Sequence, residues 1–213
     1  MAKKIWLVGI GMGNRDTLTI GAWNILKNCD CLIGAQRMLD AFPELTCRRF
    51  AATAPEKIAA YLQEHPEFQT IGVVFSGDVG FYSGAKKLRS LFPEHLIEEC
   101  CGISTVAYLC AKLHTPWEDV RLVSAHGQAC NLAGEVRTHE KVFVLAGKVS
   151  AQELCKALCR AGLGGVTVSV GERLSYPEEA ITTGPAERLS GQTFDPLSAL
   201  LIQNPAPLSN DTL

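Results

Sequence analysis

The chain has 213 residues, enough for one large domain or two small ones around a real buried core. Hydrophobic residues make up 47% and charged residues 20%, which excludes disorder, and a net charge of −2 argues against broad nucleic-acid binding. No apolar run approaches the roughly 20 residues that span a bilayer. Met1-Ala2-Lys3-Lys4 opens no signal-peptide pattern, so a cytoplasmic protein is expected, with no membrane and no nucleic-acid partner.

The first predicted strand is Lys4–Ile10, with a glycine loop, Gly9-Ile10-Gly11-Met12-Gly13, at its carboxyl end. Thr17 or Thr19 is placed to cap the helix that runs through Ala22–Lys27. As a dinucleotide fingerprint it is a poor fit. The spacing is GxGxG, the helix starts late, and Asp30 precedes the second strand (Cys31-Leu32-Ile33) instead of ending it, where a ribose would be held. A short helix is expected after Gly34, an extended basic piece at Arg48-Arg49-Phe50, and an amphipathic helix over Pro55–His65.

Ile71–Phe75 reads as a buried strand and Ser83–Phe92 as a helix. Between them, Phe75-Ser76-Gly77-Asp78-Val79-Gly80-Phe81-Tyr82-Ser83-Gly84 puts glycines and one acid where a strand ends and a helix begins, the usual ligand position in open α/β sheets. Gly77, Gly80 and Gly84 permit positive φ and close approach of a ligand. The same loop is read equally well as a tight turn in which Asp78 bonds nearby amides. Leu96–Cys100 is a further strand, and Ser104 or Thr105 is a natural N-cap for the helix through Val106–Cys110.

Leu113–Asp119 breaks the pattern. Strands follow at Val120–Ser124, Val142–Leu145, Val166–Val170 and Leu197–Ile202, with helices near Gln128–Thr138 and over Ala151–Ala161, the latter capped by Ser150 and ended by Gly162. The expected organisation is an α/β lobe over 1–114, a linker over 115–119, a second α/β lobe over 120–204 and a disordered tail over 205–213. The nine cysteines are odd in number and contain no CxxC, so they are expected to be reduced core thiols, with no metal site.

The ordered set GIGMG, SGDVGFYSGA, CGIST, SAHG and ERLSYPEE resembles the tetrapyrrole methylases, S-adenosylmethionine (SAM) enzymes that methylate uroporphyrinogen and the precorrins. The finer pattern is similar to the branch that methylates C5 of precorrin-7 or cobalt-precorrin-7; it comprises Gly34–Leu39, Gly80–Gly84, Trp117-Glu118-Asp119, Ser124–Gly127 and Leu174–Pro177. The resemblance spans roughly Lys4 to Asn204. It departs from the family at Val79 and Cys101, where proline is usual, and at Gln128, where arginine is common.

The resemblance implies a two-domain class III SAM methyltransferase fold, α/β throughout, with SAM in the inter-domain cleft. It assigns Gly77, Asp78, Val79, Phe81, Ser104 and Thr105 to SAM from the first lobe, and Leu145 and Ala146 from the second. Gly9, Gly11 and Gly13 are expected to line the substrate trough, with Arg37 and Lys86 meeting substrate carboxylates and Arg48 and Arg49 as weaker candidates. His126 is the histidine singled out, as a donor to a carboxylate or an acceptor of the proton lost after methylation. The C5 carbon of a reduced corrin precursor is already enamine-like, so positioning takes the place of a catalytic triad.

The resemblance further implies a corrinoid substrate, a homodimer, and a separate C15-methylating decarboxylase, because the chain carries no second SAM module. Other readings are a methylase of the same fold acting on a translation factor (diphthine synthase) or on ribosomal RNA, a non-catalytic nucleotide-binding regulatory module, and an NAD(P)-linked oxidoreductase.

Overall fold

The computed structural model describes residues 3–92, 96–125 and 131–208. The chain divides into two compact units, 1–105 and 106–213.

The first unit is built from β1 (Lys4–Gly9), a 3₁₀ turn (Arg15–Thr17), α1 (Ile20–Leu26), β2 (Cys31–Gly34), α2 (Gln36–Asp40), β3 (Arg48–Ala51), α3 (Pro55–Glu64), β4 (Thr70–Phe75), α4 (Ala85–Leu91) and β5 (Leu96–Cys100). Its five strands are all parallel, in the order β3-β2-β4-β1-β5. Both faces are covered, as parallel sheets require. Ile5, Leu7, Ile33 and Val73 point to α3 and α4, while Val8, Leu32 and Val74 point to α1 and α2, the period-two alternation of a strand. Neighbouring strands β4 and β1 send the chain in opposite directions, β1 to β2 through α1 and β4 to β5 through α4. Such reversals open a ligand crevice at the carboxyl ends of the strands.

Thr19 caps α1 by accepting the Ala22 amide at 3.1 Å. Thr17, the other candidate cap, is buried and instead accepts the Met12 amide at 3.0 Å. Arg49 has a structural task. Its guanidinium donates to the carbonyls of Leu39, Phe42 and Leu45, closing the turn that follows α2.

The second unit contains most of α5 (Thr105–Lys112), then β6 (Arg121–Ser124), α6 (Leu132–Thr138), β7 (Lys141–Leu145), α7 (Ala151–Arg160), β8 (Thr167–Glu172), β9 (Ala180–Pro185), α8 (Ala186–Leu189) and β10 (Ser198–Gln203). Its sheet has the order β6-β7-β10-β8-β9; β6 pairs parallel with β7 and the other pairings are antiparallel. Helices α6, α7 and α8 cover one face through Val136, Leu154, Leu158 and Leu189. On the other face Leu109 of α5 approaches Gly171 so closely that a side chain there would collide with it. This packing joins α5 to the second unit, so the division falls at Thr105/Val106, before the break in the sequence pattern at 113–119.

Ser150 caps α7, and Gly162, at φ +78°, ends it. The expected tail is described as far as 208; these residues are exposed, and the Leu208 amide donates to the Arg137 carbonyl at 2.7 Å. Cys29, Cys31, Cys110 and Cys155 are buried and unbridged. Burial pushes the Cys29 thiol up to about 12 and those of Cys31 and Cys155 up to about 11, so they act as small apolar groups. No helix among the described residues is long and apolar enough to cross a membrane.

The connection from α5 to β6 is anchored by a buried amine. Lys141 Nζ donates to Asp119 Oδ1 at 2.6 Å and to the Pro116 carbonyl at 3.2 Å. The hydrogen bond from Lys141 holds the Asp119 carboxyl below its usual range. A depressed folded-state value means stability present above the unfolded pKa of about 3.9 and lost as pH falls through the folded value. Asp119→Asn is therefore expected to lower the urea midpoint at pH 7, with the gap to the unsubstituted protein closing as the pH is taken below about 4.

Candidate functional site

The carboxyl ends of β4, β1 and β5 meet backbone to backbone. A Cβ on Gly9 would stand 2.7 Å from both the Gly77 carbonyl oxygen and the Gly102 amide nitrogen, and one on Gly102 would press still closer on Gly77 and Gly9. No contact that short is tolerated, so only glycine fits. Gly77, at φ +72°, and Gly11, at φ +63°, then exchange backbone hydrogen bonds of 3.2 and 2.5 Å in an isolated bridge that ties the two loops together.

Asp78 fastens the third loop. Its Oδ1 accepts the Gly80 amide at 2.8 Å and its Oδ2 accepts the Gly102 amide at 2.9 Å. Its own carbonyl takes the Phe81 amide at 3.2 Å. The carboxylate is thus committed to backbone donors on two loops, as the tight-turn reading expects. Carboxylate–amide bonds of this kind are stronger than neutral ones.

Gly9, Gly11 and Gly13 are buried. Thr17 lies directly beneath Gly11, its Oγ1 accepting from Met12 while its hydroxyl and amide meet Asn14 Oδ1 at 3.0 and 3.1 Å. The glycine loop is therefore a rigid strap. Of the glycines in the central loop only Gly77 has a positive φ; Gly84 sits at −74°. The left-handed position in that loop belongs to Tyr82, at φ +48°.

Around Gly77 the packing is less tight than at Gly9 and Gly102. The nearest atoms to a Cβ there would be the Thr105 amide nitrogen and hydroxyl, each at 3.8 Å, and the Ser104 Cα at 3.9 Å. Gly77, Ser104 and Thr105 thus lie side by side at the start of α5, with half-buried Phe81 and buried Val79 in the same loop as Gly77. The structure brings together Gly77, Asp78, Ser104 and Thr105 with the Gly9–Gly13 strap. Arg37, on α2, and Lys86, on α4, are exposed on helices that follow the carboxyl ends of β2 and β4. Leu145 and Ala146 are half-buried at the end of β7 in the second unit. His126 and Gln128 lie outside the described residues.

Sequence reasoning passed over three participants. Gly102 had no assigned role, although it is the third member of the junction. Thr17 was weighed only as a cap. Glu179 is the centre of a network in the LSYPEE segment; its carboxylate accepts from Tyr108 at 2.7 Å, from the Ser175 amide at 2.6 Å and from Lys112 at 2.8 Å. Desolvation works against this charge, yet the bonds from Lys112, Tyr108 and Ser175 outweigh it and hold the Glu179 carboxyl below its usual range. Only spacing around the paired Glu178-Glu179 could have signalled it. Among the described residues no group of three or more His, Cys, Asp or Glu side chains is arranged to hold a metal.

Asp78→Ala should lower unfolding stability by about 2 kcal/mol, the cost of stranding hydrogen-bonded groups, as read by urea denaturation. Gly102→Ala should cost more, about 3 kcal/mol, because three backbones have to move apart. Equal stability of Gly102→Ala and the unsubstituted protein would contradict the junction.

The family described as Tetrapyrrole (Corrin/Porphyrin) Methylases matches residues 4–190. A probable cobalt-precorrin-7 C(5)-methyltransferase of Methanocaldococcus jannaschii is 28% identical over 207 residues, covering 93% of this chain and 97% of that protein. Among solved structures, the cobalamin-biosynthesis precorrin-6Y methylase CbiE of Archaeoglobus fulgidus superposes with a TM-score of 0.72 at 21% identity, covering 94% of this chain and 98% of that one. The uroporphyrin-III C-methyltransferase of Thermus thermophilus, complexed with S-adenosylhomocysteine, gives a TM-score of 0.79 at 17% identity, covering 94% and 92%. Two parallel-to-mixed α/β units, a glycine junction at the strand ends and a family match across most of the residues lead to one conclusion: the chain belongs to the tetrapyrrole methylases.

Proposed function

We propose that the protein is a SAM-dependent C-methyltransferase of cobalamin biosynthesis that methylates C5 of cobalt-precorrin-7 or precorrin-7. The observation that carries the C5 reading is the near end-to-end similarity to the probable C5 enzyme of M. jannaschii. The GFYSG and LSYP segments, which neither the diphthine nor the RNA reading explains, favour it too. The reading carries with it a corrinoid substrate, a homodimer and a separate enzyme for C15.

The junction of Gly77 with the start of α5 suits the cofactor. A glycine backbone allows close approach, and the Thr105 amide and the Ser104 and Thr105 hydroxyls are donors of the kind that hold ribose hydroxyls and a carboxylate. Gly77, Asp78, Val79, Phe81, Ser104 and Thr105 are proposed to hold SAM, with Leu145 and Ala146 as its contacts from the second unit. When bound, SAM supplies an electrophilic methyl group on a positively charged sulfonium. The protein has to hold the acceptor carbon in line with it and keep water away. Orientation of that kind is worth on the order of 7–11 kcal/mol. Asp78 contributes by fixing Gly102, and through it the loop that carries Ser104 and Thr105. Arg37 and Lys86 are proposed to meet substrate carboxylates as cations, and the Gly9–Gly13 strap to form the wall against which the substrate rests. His126 is proposed to donate to a carboxylate or to take the proton released from C5.

Calorimetry with S-adenosylhomocysteine should show micromolar binding, and Thr105→Val should weaken it about tenfold, the loss of one polar contact to the ligand. Incubation with SAM and cobalt-precorrin-7 should give a product one methyl group heavier, at a position assigned by NMR. No binding of S-adenosylhomocysteine, or methyl label appearing only on RNA or a translation factor, would end this reading. His126→Gln should slow turnover while leaving S-adenosylhomocysteine affinity unchanged.

A further inference from the structure

Helix α5 (Thr105–Lys112) carries two kinds of contact. Val106, Leu109 and Cys110 recur at helical spacing and are buried. Leu109 lies against a glycine: a Cβ at Gly171 would stand 2.9 Å from its Cδ1. Thr105, Tyr108 and Lys112, spaced i, i+3 and i+7, share the adjoining face. Thr105 stands beside Gly77, and the other two reach Glu179.

The Glu179 carboxylate grips that face. Tyr108 donates to its Oε2 at 2.7 Å, Lys112 Nζ pairs with its Oε1 at 2.8 Å, and the Ser175 amide donates to its Oε2 at 2.6 Å. The Lys112 ammonium also stands over the Tyr108 ring, 5.3 Å from its centroid. The Glu179 side chain is only 19% exposed, so these charge-assisted bonds form where water screens them little. The segment that presents the carboxylate is itself tightly held. Arg173 and Ser175 adopt φ of +44° and +70°, which is uncommon outside glycine. Arg173 pairs with Glu178 at 3.3 Å and Asp195 at 3.4 Å, and the Glu179 amide donates to the Tyr176 carbonyl at 3.0 Å. Backbone kept in such a conformation by several partners marks a place where position matters.

Apolar burial is non-directional. Leu109 against the bare backbone of Gly171 keeps α5 in place laterally without setting where it stands along its axis. A slip of one residue is about 1.5 Å, and a misplacement of about 1 Å can cost ~100-fold in rate. Hydrogen bonds are directional, and Glu179 takes them from two successive turns of α5. They fix the rotation and axial register of the helix, and so the place of the Thr105 amide and hydroxyl one turn from Tyr108.

We propose that Glu179 is a positioning residue, setting cofactor affinity through the register of α5, whose start carries the Ser104 and Thr105 donors, and not by contact with the ligand. The role rests on the methyltransferase reading above.

The test is calorimetry of the full chain with S-adenosylhomocysteine. Glu179→Gln, which turns an amide toward the Lys112 ammonium, should weaken binding roughly three- to tenfold, within the range of indirect couplings. Tyr108→Phe, which removes one bond and keeps the ring, should weaken it in the same direction and serves if Glu179→Gln does not fold. Ser150→Ala, which strips the cap of α7, controls for lost stability and should leave affinity within about twofold. Thr105→Val combined with Glu179→Gln should lose less than the product of the two single losses, because both act on the same contact. Unchanged affinity in Glu179→Gln and Tyr108→Phe would overturn the proposal, as would an equal loss in Ser150→Ala or losses that multiply in full. In those cases the unsubstituted protein still binds S-adenosylhomocysteine and the methyltransferase reading stands. If the unsubstituted protein does not bind it, both fall.

Discussion

Gly9, Gly77 and Gly102 stand so close at the ends of three parallel strands that no side chain can separate them. Everything around the candidate site follows from that constraint. Close contact lets Gly11 and Gly77 exchange hydrogen bonds, lets one carboxylate on Asp78 reach amides on two loops, and sets the Gly77 backbone beside the first residues of α5. The loops are locked to one another before any ligand arrives. For a transfer whose main demand is alignment, a scaffold already rigid in the free protein spends little binding energy on ordering itself.

Much of this was legible in the sequence because it rests on local rules. Short apolar runs marked β1 and β4, Pro55 marked the start of α3, Ser150 marked one helix cap and Thr17 or Thr19 another. The edge strand β9 escaped notice because Ala180–Pro185 is half-exposed and polar, without an apolar run, and the short α8 follows it directly. The site was legible as a set of glycine loops, but not in its division of labour. Whether a glycine is needed for its φ or for want of a side chain depends on what lies across from it. Gly102 is fixed by Gly9 and Gly77, both distant in sequence. Spacing pointed to Gly77, Gly80 and Gly84 for positive φ; Gly77 adopts it, and the other left-handed residue of that loop is Tyr82.

The two units solve the burial of charge in parallel ways. In the first, the Asp78 carboxylate is satisfied by backbone amides; in the second, Glu179 collects a phenol, an amide and an ammonium, and Lys141 rests against Asp119. Each anchors an irregular connection, where backbone groups lack the regular partners of a helix or sheet. The buried thiols complete the picture. Their raised pKa values keep them protonated, so they fill space without offering a nucleophile.

The order β6-β7-β10-β8-β9 places the last strand of the chain in the middle of its sheet. During synthesis the first unit leaves the ribosome with every strand in hand, and it can fold while translation continues. The second cannot: β7 and β8 have no shared neighbour until Ser198–Gln203 has emerged. A nascent chain halted shortly before that segment would expose two unpaired strand edges, an open invitation to aggregation. Assembly of the second sheet thus waits on the strand at its centre.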